Sequence, residues 1–531
     1  MSKFFRAVVA ASVLLSPAVS AHETDATGTG KLGTVAFPTS CDPKVQPAFE
    51  RAVAMLHSFW YSAAEKAFAD ILAQDPTCTV TAWGYGAILM SNPLAGAGAS
   101  ADGAKKAQAA IDNARKTPPK TERERDYVEA VAAYYEDWSN RPEKARQLAR
   151  SKAFEALAAK YPRDDEAQIF SALYIAATQS QADQTYAAYL KAVGILEPMF
   201  KKYPNHPGVA HYLIHSYDAP PIADKGLQAA RRYADIAPGA AHALHMPSHI
   251  FTRVGSWEES IATNLRSAQV ARVSDDFPEA YHASDYAVYA NLQLARDQDA
   301  RLVMEEAMRH SGGTSPSPAY PYAAAAMPAR LALERGDWKA AAQLQPTPSK
   351  AVFTEALTYF ARALGAARSG DVASAEKHLG ELTAIHGKLE AAKNTYWATE
   401  VEIQRLAVAG WIAHAQGKAE DGAKLMRAAA DLEDRNEKHI VTPGRMLPAR
   451  ELLGDMLLEQ KQPAAALKEY EASQRREPNR YRNYAGSAMA AEAIGDRQKA
   501  AQYYAKLLDL TKKGEASRPE LVRAKAFVAQ K

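Results

Sequence analysis

Seven of the 14 histidines, His206, His211, His215, His242, His245, His249 and His282, fall between residues 206 and 282. Imidazole carries protons near neutral pH and is the commonest nitrogen ligand for transition metals, so this crowding is where chemistry is expected. Spacing sharpens the expectation. His211 and His215 form one HxxxH pair, and His245 and His249 form a second, 34 residues further on. On a helix, positions i and i+4 stand one turn apart on the same face, so each pair aims two rings in one direction. Nitrogen ligands hold zinc or copper at about 2.0–2.1 Å. His282 and Asp285 form an i, i+3 pair beyond them, and Asp218 follows His215 by three residues. Either carboxylate is suited to ligate an ion or to hold a histidine through its other ring nitrogen.

The candidate ligand set is therefore His211, His215, His245, His249, His282 and Asp285, with zinc or copper as the ion. His206 and His242 fall off the shared faces and are left out. Pro247, between His245 and His249, bends its helix and frees carbonyls there. Two other readings of the cluster stay open: partly protonated imidazoles that attract an anion, and structural histidines bonded to Tyr212, Tyr217 or water. Two lesser features are a terminal His22, if the chain is cut before it, and Glu437 with His439. The latter lie in a non-periodic stretch whose simpler reading is a solvated loop.

Positioning these rings requires helices, and the sequence repeats in a helical way. Gly454, Ala466, Tyr470 and Pro478 are echoed 34 residues later by Ala488, Ala500 and Tyr504; Ala52, Ala64, Phe68 and Pro76 keep the same gaps, and Pro204 and Pro238 are also 34 apart. Small residues allow two antiparallel helices to approach, the aromatic fills the wedge between them, and proline ends the second helix. This pattern resembles the tetratricopeptide repeat (TPR) superfamily over nearly the whole chain. The clearest units are 45–78, 207–240, 241–276, 447–480 and 481–514. Turn signals agree: Gly336, Gly370, Gly417 and Gly495 sit where the first helix of a pair meets the second. The fold class is all-α, a right-handed superhelix of stacked antiparallel helix pairs.

The resemblance implies that the two HxxxH pairs occupy equivalent first-helix positions facing the concave groove, where their four rings converge. It also implies protein–protein interaction, with a protein or peptide partner lying in that groove. Equivalent positions are Phe49, Val53 and His57 in the first unit, Trp83 in the second, and Glu451 and Asp455 near the end. Arg253 and Tyr286 join Phe49, His57 and Trp83 as the partner-binding candidates, and the acidic end suits a basic partner. The stretches around His57-Ser58-Phe59-Trp60, His211–Asp218 and His245–Arg253 are similar to those of exported bacterial TPR proteins.

Length and charge set outer bounds. At 531 residues the chain is too long for one ordinary core, and its net charge of +3 without basic blocks excludes a nucleic-acid binder. Lys3 and Arg6, an apolar run from Ala7 to Leu15 and the small residues Val19-Ser20-Ala21 read as a signal peptide cleaved after Ala21. That places the protein in the periplasm or outside the cell, with no transmembrane segment left afterwards. The expected organisation is a signal peptide at 1–21, a flexible leader at 22–39, one TPR array at 40–310, a linker at 311–320 and a second array at 321–531. Cys41 and Cys78 flank the first helical hairpin, so export makes a disulfide the natural reading. Closing that loop contributes about 3–4 kcal/mol in the chain-entropy model.

No nucleophile elbow, phosphate loop or HExxH is present. The sequence thus reads as an exported, non-enzymatic TPR scaffold with a histidine-lined groove that binds zinc or copper. The alternatives are a pure protein–protein scaffold and, less favoured, a metal-dependent enzyme.

Overall fold

The computed structural model describes residues 30–310 and 318–529. Among the described residues there are helices and turns but no strand, and the helices pack as consecutive antiparallel pairs. This is the all-α array of stacked helix pairs that the 34-residue spacing predicts. The aromatic wedge forms as the spacing predicts. Tyr470 lies so close to Gly454 and Gly486 that a Cβ on either would collide with its ring, and Phe68 sits against Gly84 in the same way. Both rings are fully buried. At the turns, Gly336, Gly370, Gly417 and Gly495 take φ values of +67°, +84°, +80° and +83°, the left-handed region glycine enters without penalty. Asp337, Asp371 and Asp496 follow three of them and cap the next helix through their side chains.

The sulfurs of Cys41 and Cys78 lie at bonding distance, with Cα atoms 4.8 Å apart, at the open end of the first hairpin, opposite its turn. No helix among the described residues is long and apolar enough to cross a membrane. The expected signal peptide, residues 22–29 of the leader and residues 311–317 of the linker lie outside the described residues.

Three expectations are overturned by packing. Residues 30–39 are not a loose leader. Leu32, Val35 and Phe37 are buried, and Phe37 packs on Trp83 at 4.8 Å, Tyr127 at 5.0 Å and Phe49 at 5.3 Å. A Gly/Thr-rich composition masked three apolar anchors, whose burial outweighs the entropy of ordering the strap. Phe49 and Trp83 are consequently core residues beneath that strap, not an open groove.

Second, the boundary at 311–320 does not separate two bodies. Helix Ala319–Leu333 packs against Phe277–Gln293 through Met327, Leu331, Val288 and Leu292. Arg330 and Asp285, both fully buried, pair across the same contact at 2.8 Å. The C-terminal helices also close onto the N-terminal ones: Arg480, held by Glu451 at 2.6 Å and Glu334 at 2.9 Å, donates to the Tyr289 hydroxyl, and the Trp257 indole donates to the Asn479 carbonyl at 2.7 Å. Glu451 is thereby used internally, as is Asp455, which binds Arg368 and accepts from Tyr470. Neither is free for a basic partner.

Third, residues 436–448 form no solvated loop. They are buried and run along the face that the first helices share. Lys438 reaches Asp218, Glu437 pairs with Arg253, the Tyr286 hydroxyl lies 3.1 Å from the Ile440 and Thr442 carbonyls, and Arg330 donates to Gly444 and Arg445 carbonyls. This irregular stretch has no ladder of its own, so side chains from the helices satisfy its backbone. Arg253 and Tyr286, expected to hold a partner, hold this segment of the same chain. His439, in the same stretch, is pushed down to about 4 by burial.

Candidate metal centre

The histidine-bearing helices are Gln46–His57, Pro207–Tyr217, Ala241–His245, Pro247–Val254 and Phe277–Gln293. Gly208 lets the second of them press directly on the His57 ring, where any side chain would collide. The superhelix is tight enough that this helix meets the first one, although about 150 residues separate them. Pro247 has the effect expected of it: the helix stops at His245 and restarts at Pro247.

The rings lie in two adjoining trios. His211, His215 and His242 form one, and His245, His249 and His282 the other; within each, the candidate ligand atoms lie within 4.8 Å of one another. Ring centroids of His215 and His249 are 5.5 Å apart and those of His242 and His245 are 5.9 Å apart, so the trios touch. All but His242 are buried. The two HxxxH pairs therefore do gather in one interior region. They do not meet around one common point.

Hydrogen bonds fix which ring nitrogen faces inward. His211 Nδ1 lies 2.7 Å from the His57 carbonyl and must donate to it. His242 Nδ1 donates to Glu279 at 3.2 Å and His249 Nδ1 to Asp218 at 2.9 Å. His245 Nδ1 lies 2.7 Å from Asn264 Oδ1, and the Asn264 amide is oriented by its own donation to the Ser260 carbonyl. Each of these four histidines thus carries its proton on Nδ1 and presents an Nε2 lone pair to the cluster. Anchoring of one nitrogen by a carboxylate or carbonyl is how ligating histidines are held.

The inward nitrogens lack protein partners. His211 Nε2, both nitrogens of His215, His242 Nε2 and His282 Nδ1 are buried without a hydrogen bond. A buried polar atom left in this way costs about 1–3 kcal/mol. The remaining two, His245 Nε2 and His249 Nε2, face each other at 3.1 Å. With both protons on Nδ1 that is lone pair against lone pair. Two nitrogens bound tetrahedrally to one ion sit about 3.3 Å apart, given bonds of about 2.0–2.1 Å.

Electrostatics favour the neutral form of His211, His215, His245, His249 and His282. Burial, then the neighbouring imidazoles, hold His211, His215 and His245 well below the ordinary histidine value, and burial brings His282 down to about 3. His249 is lowered by burial despite Asp218 beside it. Burial opposes ionisation of Asp218, but Lys438 and Arg253 hold it well below the usual carboxylate range. Glu279 is likewise lowered, by His242 against its own burial. Neutral imidazoles are poor at attracting anions and are the form that ligates metals.

Two of the expected assignments change. Asp285 is not beside the trio as a ligand, because Arg330 takes both its oxygens. His242, set aside on helical geometry, belongs to the first trio. Residues that spacing could not reveal are Asn264, Glu279 and Phe59. Phe59 sits at φ +51°, a strained setting for an aromatic residue. It meets His211 edge-on at 4.4 Å and stacks on His242 at 5.5 Å, covering the first trio.

His57, expected in the groove, belongs to a different cluster. Its ring bonds the Tyr212 hydroxyl and Glu166, both at 2.9 Å, and His206 bonds the other oxygen of Glu166 at 2.9 Å. His206 Nδ1 accepts from the Val209 amide and so caps the helix.

No protein-family model matches the chain, and no curated protein matches it. Among solved structures it is similar to a chain of the APC/C hetero-tetramer Cut9–Hcn1, at 10% identity and a TM-score of 0.30, covering 91% of this chain and 96% of that one. A likeness at that level says nothing about partners or activity.

Proposed function

We propose that this protein is an exported, non-enzymatic TPR-type scaffold that binds zinc or copper through its buried histidine cluster. The observation that carries the reading is the set of imidazoles anchored through Nδ1, with inward nitrogens that no protein donor satisfies. Bound metal relieves the inward nitrogens of the trio that holds it, and in the second trio that includes the opposed pair at 3.1 Å. Structural histidines would bring donors, as His57 and His206 do. Export is supported by the Cys41–Cys78 pair, which suits an oxidising compartment, together with the signal-like first 21 residues.

Interaction with a protein partner is what a TPR-type array offers. Here a partner entering the inner face has to displace residues 30–39 or 436–448, so a partner peptide competes with ion pairs such as Arg253–Glu437. The scaffold reading without metal keeps that competition and drops the ion.

Elemental analysis of the purified full chain and a thermal shift on adding zinc or copper test the reading. A ligand at 100 times its dissociation constant stabilises the fold by about 2.7 kcal/mol. That gain is expected in the natural protein and lost when His215 and His249 are both changed to Ala. A protein with no metal and no shift, still binding its partner after the same changes, is a plain scaffold.

A further inference from the structure

The metal reading leaves open how many ions the cluster holds, and the geometry bears on this directly. We infer that the six imidazoles form a dinuclear centre, one ion in the trio His211, His215 and His242 and a second in the trio His245, His249 and His282. This inference rests on the metal reading and deepens it. Each trio draws on different anchors. The first hangs from the His57 carbonyl and Glu279, the second from Asn264 and Asp218. Each also has its own unsatisfied nitrogens: His211, His215 and His242 in one, His282 and the opposed His245–His249 pair in the other. A single ion in either trio leaves the other trio's buried lone pairs without a cation, at the cost that buried unpaired polar atoms carry.

Three neutral nitrogens per ion is the ligand count of an open site, with a position left for water or a small anion. The donor set is entirely imidazole in both trios, Asp285 being taken by Arg330. Imidazole suits zinc and copper, and among divalent first-row ions copper binds such donors most tightly. The trios adjoin through the His215–His249 and His242–His245 ring contacts at 5.5 and 5.9 Å, so both belong to one interior region. His242 is the most exposed ring of the first trio, and the buried Phe59 stacks on it.

The test is a count. Purified full-length protein, stripped with a chelator and retitrated with zinc and, separately, with copper, should take two ions per chain. His215→Ala and His282→Ala should each retain one, and the double variant none. His215 makes no hydrogen bond that its removal would break, and the count in the unaltered protein does not depend on any variant folding. One ion per unaltered chain, or loss of both ions from either single variant, overturns the dinuclear inference while leaving the metal reading standing. No ion at all overturns both.

Discussion

Two histidine clusters lie side by side in this fold, and they solve the same burial problem in opposite ways. In the first, Glu166 stands between His57 and His206, and Tyr212 and the Val209 amide complete the set. Burial works against the Glu166 charge, yet the two imidazoles hold its carboxyl well below the usual range. Every ring nitrogen in that cluster has a protein partner. In the second, six imidazoles share a space with carboxylates only on their far sides, and the near sides have no donor. A buried histidine is thus uninformative by itself. What distinguishes a structural group from a binding one is whether its second nitrogen has been satisfied.

The largest expected effect is a pH dependence to which His57 contributes one lowered imidazole and the six-ring cluster several. Histidines held below 6.5 in the fold bind protons only after unfolding, so their contribution is complete above about pH 6.5 and is lost as pH falls towards the folded values. Each costs up to about 1.4 kcal/mol per pH unit in that window. His211, His215, His245 and His282 therefore all destabilise the metal-free protein as pH falls below about 6.5. Chemical denaturation at stepped pH checks this, and saturating zinc should postpone the loss because protons must then displace the ion.

Next in size is the carboxylate of the satisfied cluster. Glu166→Ala removes the partner of two buried rings and should cost about 3–5 kcal/mol, with metal content unchanged. Smaller again is the contrast between His206→Ala and His215→Ala. The first should lower the stability of metal-free protein by about 1–3 kcal/mol through the orphaned Glu166 oxygen, and leave metal uptake alone. The second breaks no hydrogen bond and should instead lower metal uptake. Equal effects of the two on both readouts would erase the distinction. The smallest expected change is that of Glu279→Gln, which weakens the hold on His242 Nδ1 and should lower affinity at the first trio about 10–100-fold, measured by competition with a chelator of known affinity.

Periodicity carried the architecture because small residues, aromatics and turn glycines act locally: Gly454 and Tyr470 or Gly495 and Asp496 each mean the same thing wherever they occur. The metal candidates were legible for the same reason, since HxxxH is a helical spacing. The errors came from contacts between distant positions. Asp285 stands one turn from His282, but Arg330, 45 residues on, claims it. His242 lies off the face of an ideal helix, yet the break at Pro247 and the arrival of Glu279 from the next unit bring it in. Residues 436–448 and 30–39 lack helical periodicity and so looked solvated. Their burial depends on Arg330, Asp218, Trp83 and Tyr127, none of which spacing alone could assign to them.

X-ray absorption at the zinc or copper edge of the purified, metal-loaded chain addresses the central claim most directly. The expected spectrum is a shell of imidazole nitrogens at about 2.0–2.1 Å with histidine outer-shell scattering, reduced to background in the His215→Ala, His249→Ala double variant. A sulfur shell, a shell of oxygens alone, or the same spectrum from the double variant would place the ion elsewhere and contradict the account.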